Sequence, residues 1–137
     1  MPPQAVGWDW IGMNLDDGSA LTAFRLRRKD GSTLWDGGSF RGPQGSLYVA
    51  SQGETEFSPQ RHWTSPASNA SYPVEWIVRT PADFYTVRAV VDAQELDSRA
   101  STGAIYWEGL SDLIASDGRT VGRGYLEMTG YAQRLRM

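Results

Sequence analysis

An aspartate set between two tryptophans is the residue of this sequence whose surroundings point first to chemistry. In Trp8-Asp9-Trp10-Ile11-Gly12-Met13-Asn14-Leu15 an extended strand would turn Asp9, Ile11, Met13 and Leu15 to one face and Trp8, Trp10, Gly12 and Asn14 to the other. If the first face looks inward, Asp9 is a carboxyl among apolar neighbours, where desolvation disfavours the charged form. A carboxyl that keeps its proton at neutral pH is a proton donor, which makes Asp9 the candidate catalytic acid. The alternative is an Asp9 at a strand end, or one that accepts hydrogen bonds from an arginine or from backbone amides.

A second group lies in Ala104-Ile105-Tyr106-Trp107-Glu108-Gly109 and Gly124-Tyr125-Leu126-Glu127-Met128-Thr129-Gly130-Tyr131. Alternation puts Tyr106 and Glu108 on one face of the first stretch, and Tyr125, Glu127, Thr129 and Tyr131 on a similar face of the second. Ile105, Trp107, Leu126 and Met128 form the opposite, apolar faces. Antiparallel pairing would superpose the two polar faces and bring two glutamates near several phenols. Such a surface reads as a pocket wall that hydrogen-bonds a ligand, or as the solvent side of a sheet whose other side is core. Arg79, Arg88 and Arg123 are candidates to neutralise the glutamates.

Six tryptophans (Trp8, Trp10, Trp35, Trp63, Trp76, Trp107), six tyrosines and four phenylalanines are spread through the 137 residues. In a barrel they could line a cavity for a lipophilic molecule or fill the core themselves. On the first reading Trp8, Trp10, Trp76, Tyr106, Trp107, Glu108, Tyr125, Glu127 and Tyr131 are the candidate ligand-binding residues.

Other chemistries are excluded by what is missing. With no cysteine and one histidine, His62, there are no thiol nucleophiles, no Cys-based zinc site and no His-rich metal centre, so neither metal nor cofactor is expected. A formal charge of −3, with arginines mostly scattered singly and Lys29 the one lysine, argues against nucleic-acid binding and Schiff-base chemistry. P-loop, GxGxxG and G-x-S-x-G motifs are absent. No apolar run reaches the roughly 18–20 residues of a membrane span, and the first residues lack a signal peptide's regions. As written the chain reads as cytoplasmic, or as secreted or periplasmic if cut from a longer precursor.

The elements that must position these residues are strands. Short β-branched and aromatic stretches alternate with period two between Gly, Pro, Asp and Ser clusters. They predict strands at 7–15, 20–28, 34–41, 46–52, 60–64, 74–79, 84–92, 103–110 and 122–132. Asp16-Asp17-Gly18-Ser19 and Lys29-Asp30-Gly31-Ser32 are tight-turn signals, so the first three strands should form an antiparallel meander. Residues 58–73 read as a long crossing loop with only a short strand inside, and 93–99 is the best candidate for a short helix. Without a repeat or linker, residues 1–137 form one all-β domain, a barrel or sandwich.

Gly7-Trp8-Asp9-Trp10-Ile11-Gly12, Leu15-Asp16-Asp17-Gly18 and Arg25-Leu26-Arg27 resemble the opening of the C-terminal lipocalin-like domain of the AttH-like and carotenoid hydratase family. Trp63-Thr64-Ser65-Pro66, Tyr72-Pro73-Val74-Glu75-Trp76, Gln94-Glu95-Leu96, Tyr106-Trp107-Glu108-Gly109 and Gly124–Tyr131 look like its later motifs, in the same order. The resemblance implies a lipocalin-like antiparallel up-and-down β-barrel of about 8–10 strands that takes hydrophobic small molecules, isoprenoid, polyene or fatty-acid-like. It also implies hydratase-type chemistry, a hydro-lyase in which Asp9 matches the proton-donating acid. Full-length members carry a preceding domain of similar kind and an Asp-His-x-Trp-Gly element just upstream of the Trp-Asp-Trp strand, and this sequence starts after that point. The alternative is a non-catalytic interaction domain that forms a homodimer through an edge strand, the first strand being the candidate edge.

Overall fold

Residues 3–101 and 103–132 are described by the structure, a computed structural model. They form twelve strands: β1 (Gly7–Leu15), β2 (Ala20–Arg27), β3 (Thr33–Arg41), β4 (Leu47–Ala50), β5 (Glu56–Pro59), β6 (His62–Thr64), β7 (Ser71–Pro73), β8 (Glu75–Arg79), β9 (Phe84–Ala89), β10 (Glu95–Ser98), β11 (Ala104–Ala115) and β12 (Thr120–Met128). No helix occurs among the described residues. Ten strands make one antiparallel sheet in the order β4-β3-β2-β1-β12-β11-β9-β8-β5, with β10 added against β11, while β6 and β7 pair as a separate hairpin.

The expected meander of β1, β2 and β3 is present, and its turns follow from their residues. Gly18 (φ 92°) and Gly31 (φ 88°) take the left-handed conformation that a tight hairpin requires and that a side chain disfavours. Asp30 accepts from both the amide and the hydroxyl of Ser32, closing the second turn locally.

Alternation then sorts the side chains. One face of the sheet carries Ile11, Met13, Trp107, Leu113, Leu126 and Met128, all essentially fully buried, each contributing roughly 1.5–3 kcal/mol by leaving water. The sheet curls around this face. β2 and β8 stand five places apart in the strand order, yet the Arg25 guanidinium lies over the Trp76 ring, 5.2 Å from its centroid. This all-antiparallel, lipocalin-like arrangement is the one expected.

Three expectations are corrected. The predicted helix at 93–99 is an edge strand, β10, because tertiary bonds override local propensity: the Gln94 amide packs against Gly109 and its Oε1 accepts from the Leu110 amide at 3.0 Å. The crossing region 58–73 holds more than the one short strand expected at 60–64: β6 falls within that strand, but β7, which pairs with it, and the end of β5 were not expected. The first strand is no edge, since β1 is flanked by β2 on one side and β12 on the other.

Candidate functional site

The curled sheet divides the candidate residues between its two faces. Asp9, Trp76 and Trp107 are fully buried on the inner face, and Tyr131 packs against that core from the segment after β12. Trp8, Trp10, Tyr106, Glu108 and Glu127 are half-buried and Tyr125 is exposed, and alternation places all six on the outer face. No single pocket wall holds both groups.

Asp9 faces inward, as alternation predicts, but its partners are charged. Arg25 on β2, directly opposite in the β1–β2 register, donates through Nε to Oδ2 at 2.8 Å. Arg27 donates to Oδ1 at 3.0 Å, and the Tyr131 hydroxyl donates to the same oxygen at 2.8 Å. The guanidiniums are themselves satisfied: Arg25 reaches the Gly31 carbonyl and the Thr33 hydroxyl, and Arg27 the Thr129 carbonyl at 2.7 Å. Arg27 also sits 3.9 Å from the Tyr131 ring centroid, a cation–π contact. Burial, and then the Asp9 charge, push the Tyr131 phenol far above its ordinary range, so it remains a neutral donor. Across β2, Asp36 on β3 opposes Arg25 and accepts the Gly53 amide at 2.8 Å. One buried carboxylate, Asp9, therefore meets two guanidiniums and a phenol, with every ion hydrogen-bonded, the arrangement that makes ionic burial tolerable.

The two glutamates do meet, as the pairing of the last strands predicts: Glu108 on β11 stands opposite Glu127 on β12. Burial, followed by repulsion from Glu108, pushes the Glu127 carboxyl up, and the hydrogen bond from Trp8 offsets part of that. Two of the three arginines expected to neutralise them are engaged elsewhere, Arg88 with Glu75 and Arg123 with Asp112. Trp10 lies across Gly12, where an added Cβ would come within 2.3 Å of the indole. The outer aromatic surface is thus partly folded down onto the sheet.

Space for a ligand occurs elsewhere, between the inner faces of β2, β3 and β4 and the turn joining β8 to β9. This cavity of about 440 Å³ is lined by Leu21, Thr22, Gly38, Ser39, Phe40, Tyr48, Ala50, Thr55, Thr80, Pro81 and Ala82. It opens where the strand order ends, β4 on one side and β5 on the other. Leu21 pairs with Met13, four residues along β1 from Asp9, or about 13 Å. The cavity and the ionic cluster occupy different levels of the interior, and none of the expected ligand-binding residues lines the cavity. Sequence reasoning missed Phe40, Tyr48 and Pro81. The available signal was the alternation of Tyr48 and Ala50 with Leu47 and Val49.

A third polar knot closes the β6–β7 hairpin against β10. Glu95 receives hydroxyl hydrogen bonds from Ser65, Ser68 and Tyr72 at 2.5, 2.6 and 2.7 Å. Burial alone would push its carboxyl up, but these three donors hold it below the ordinary value.

An antiparallel curled sheet around an apolar core, with an apolar cavity at its open seam, defines a lipocalin-like β protein. The chain belongs to the AttH-like family, whose profile matches residues 1–131. It is similar to the crystal structure of an AttH protein from Nitrosomonas europaea, at 46% identity over 96% of this chain and 41% of that one, with a TM-score of 0.90. It is also similar in fold to kievitone hydratase from Nectria haematococca, at 17% identity over 94% of this chain and 40% of that one, with a TM-score of 0.70. The chain thus spans well under half the length of either solved structure. No curated protein matches it. Among the described residues no group of His, Asp or Glu side chains could hold a metal ion, and no helix is long and apolar enough to cross a membrane.

Proposed function

We propose that this domain binds a hydrophobic small molecule in the cavity between β2, β3, β4 and the Thr80–Ala82 turn. The observation that carries the reading is the cavity itself: its volume of about 440 Å³ and its lining by Leu21, Phe40, Ala50, Pro81 and Ala82 have the size and character of a small-molecule pocket. Titration with a retinoid and fatty-acid panel should quench tryptophan fluorescence saturably. A barrel filled by its own side chains would give no saturable response, and that result would remove the reading.

A narrower form adds hydratase-type acid chemistry at Asp9. Its support is the full burial of Asp9 beside the Tyr131 phenol. Protonation of an alkene by Asp9 would give a tertiary carbocation for water to capture, but both Asp9 oxygens receive arginine donors, so Asp9 can act only after those bonds loosen. Incubation with an acyclic carotenoid or a prenylated phenol tests this form: a water adduct that disappears in Asp9→Asn supports it, and no adduct with any such alkene sinks it.

The interaction-domain alternative finds its edge at β4 rather than β1. Leu47 and Val49 are 64% and 65% exposed there without a lysine or proline guard on the strand.

A further inference from the structure

The mouth of the cavity has two apolar lips. Tyr48, Pro81 and Ala82 both line the cavity and are exposed, so they stand at its opening. Leu47 and Val49, the strand neighbours of Tyr48, are largely exposed, and Phe84, just past the Pro81–Ala82 turn, is half exposed. Single exposed apolar side chains are ordinary on a protein surface. Several large ones gathered around one opening form a patch of the kind that marks a contact surface.

Each lip also carries an arginine. Arg41 stands opposite Leu47 in the β3–β4 register, and Arg79 opposite Phe84 in the β8–β9 register. Both are exposed, and among the described residues neither guanidinium has an ion-pair or hydrogen-bond partner. The acids nearby are Glu56, opposite Arg79 across β5 and β8, Glu54, turned onto the Tyr48 hydroxyl and the Ser51 amide, and Asp83, which accepts from the Phe84 amide and the Ser116 hydroxyl. An apolar side chain beside a guanidinium on each side of an opening suits a phospholipid surface, which takes the first at its acyl boundary and the second at its phosphates. Edge-to-edge pairing of β4 with a second copy would account for Leu47 and Val49 only.

Resting on the binding role above, we infer that the mouth of the cavity docks on a phospholipid surface through Leu47, Val49, Phe84, Arg41 and Arg79, and exchanges its lipophile directly with the bilayer. A lipophile that moves this way never pays for full exposure to water. The acids beside the arginines keep the charge of the patch small, so apolar contact supplies most of the attachment.

The test mixes retinol-loaded protein with vesicles of phosphatidylcholine and phosphatidylglycerol. The protein should sediment with the vesicles, and the rate of retinol transfer should rise in proportion to vesicle concentration, whereas transfer through water is limited by release and ignores the acceptor. Leu47→Glu combined with Phe84→Glu changes two exposed positions outside the cavity lining. It should cut vesicle binding at least about tenfold and make transfer slow and independent of vesicle concentration, with retinol affinity in solution unchanged. Arg41→Gln combined with Arg79→Gln should weaken vesicle binding about two- to fivefold. Retinol binding without vesicle binding, or vesicle binding that the Leu47 and Phe84 substitutions leave intact, overturns the inference while the binding role stands. Self-association that Leu47→Glu abolishes, with no vesicle binding, assigns the lip to a second copy and overturns it too. Failure to take up retinol or any member of the fatty-acid panel removes the binding role and the exchange that rests on it.

Discussion

At the scale of single residues, Asp9 shows how far side-chain alternation reaches. That Asp9 shares a face with Ile11, Met13 and Leu15 follows from the alternation of Trp8–Leu15, but tryptophans on the other face leave the inward side open until the fold sets it. Its partners were not legible, since Arg25 and Arg27 become neighbours only when a particular strand pairs in a particular register. Asp9→Asn leaves both guanidiniums buried without a full counter-charge, so urea unfolding should show a loss of about 3–5 kcal/mol. Tyr131→Phe removes one neutral donor to the same carboxylate and should cost only about 1 kcal/mol. Equal losses in the two variants would mean that the phenol, not the ion pairs, holds the cluster together.

At the scale of elements, two glutamates respond to pH with opposite signs. Glu127 on β12 is pushed up by burial and by Glu108 on β11, so the folded chain holds that proton more tightly than the unfolded one. Its contribution is fully present below the ordinary value of 4.5 and is lost as pH rises through the folded value. Glu127→Gln should therefore be more stable than the parent at neutral pH and lack this decline. Glu95 on β10 is held down by three hydroxyls that outweigh its burial. Its contribution is present above the ordinary value of 4.5 and is lost as pH falls through the folded one. Thermal unfolding of Glu95→Gln should accordingly show its largest deficit at neutral pH and a shrinking one in acid. The facing of Glu108 and Glu127 was readable from the sequence, as was the meander of β1–β3, because each follows from alternation and from turn residues. β5, β7 and β10 were not, because these strands of three or four residues carry few alternations and are set by distant partners, the pull of Glu95 on Ser65, Ser68 and Tyr72 acting across 23 to 30 residues. At the exposed edge strand, Val49→Lys places a charge beside unpaired backbone groups, and light scattering at high concentration should show less self-association than for the parent.

At the scale of the whole molecule, the cavity lies at the seam where the strand order ends, and no pattern in the chain announces it. It is assembled from β2, β3, β4 and a distant turn, so its lining is a property of the curled sheet rather than of any segment. A ligand seated there stabilises the folded state alone. At a hundred times its dissociation constant, stability should rise by about 2.7 kcal/mol, seen as a melting temperature that climbs with ligand concentration. An unchanged melting temperature with a ligand that titrates calorimetrically would mean that it binds the folded and unfolded chains alike, which the cavity cannot do. The buried charges have a consequence beyond chemistry. An inner face of Ile11, Met13, Leu21 and Ala23 would pack nearly as well if β1 and β2 slid past each other by two residues, because apolar side chains substitute for one another. Asp9, Arg25 and Arg27 do not: from the present register, a slide one way sets Asp9 opposite Ala23 and a slide the other way sets Arg25 opposite Ile11, each leaving a buried charge beside hydrocarbon. Three charges on two adjacent strands thus act as an alignment key, favouring one pairing of β1 with β2 over its shifted neighbours.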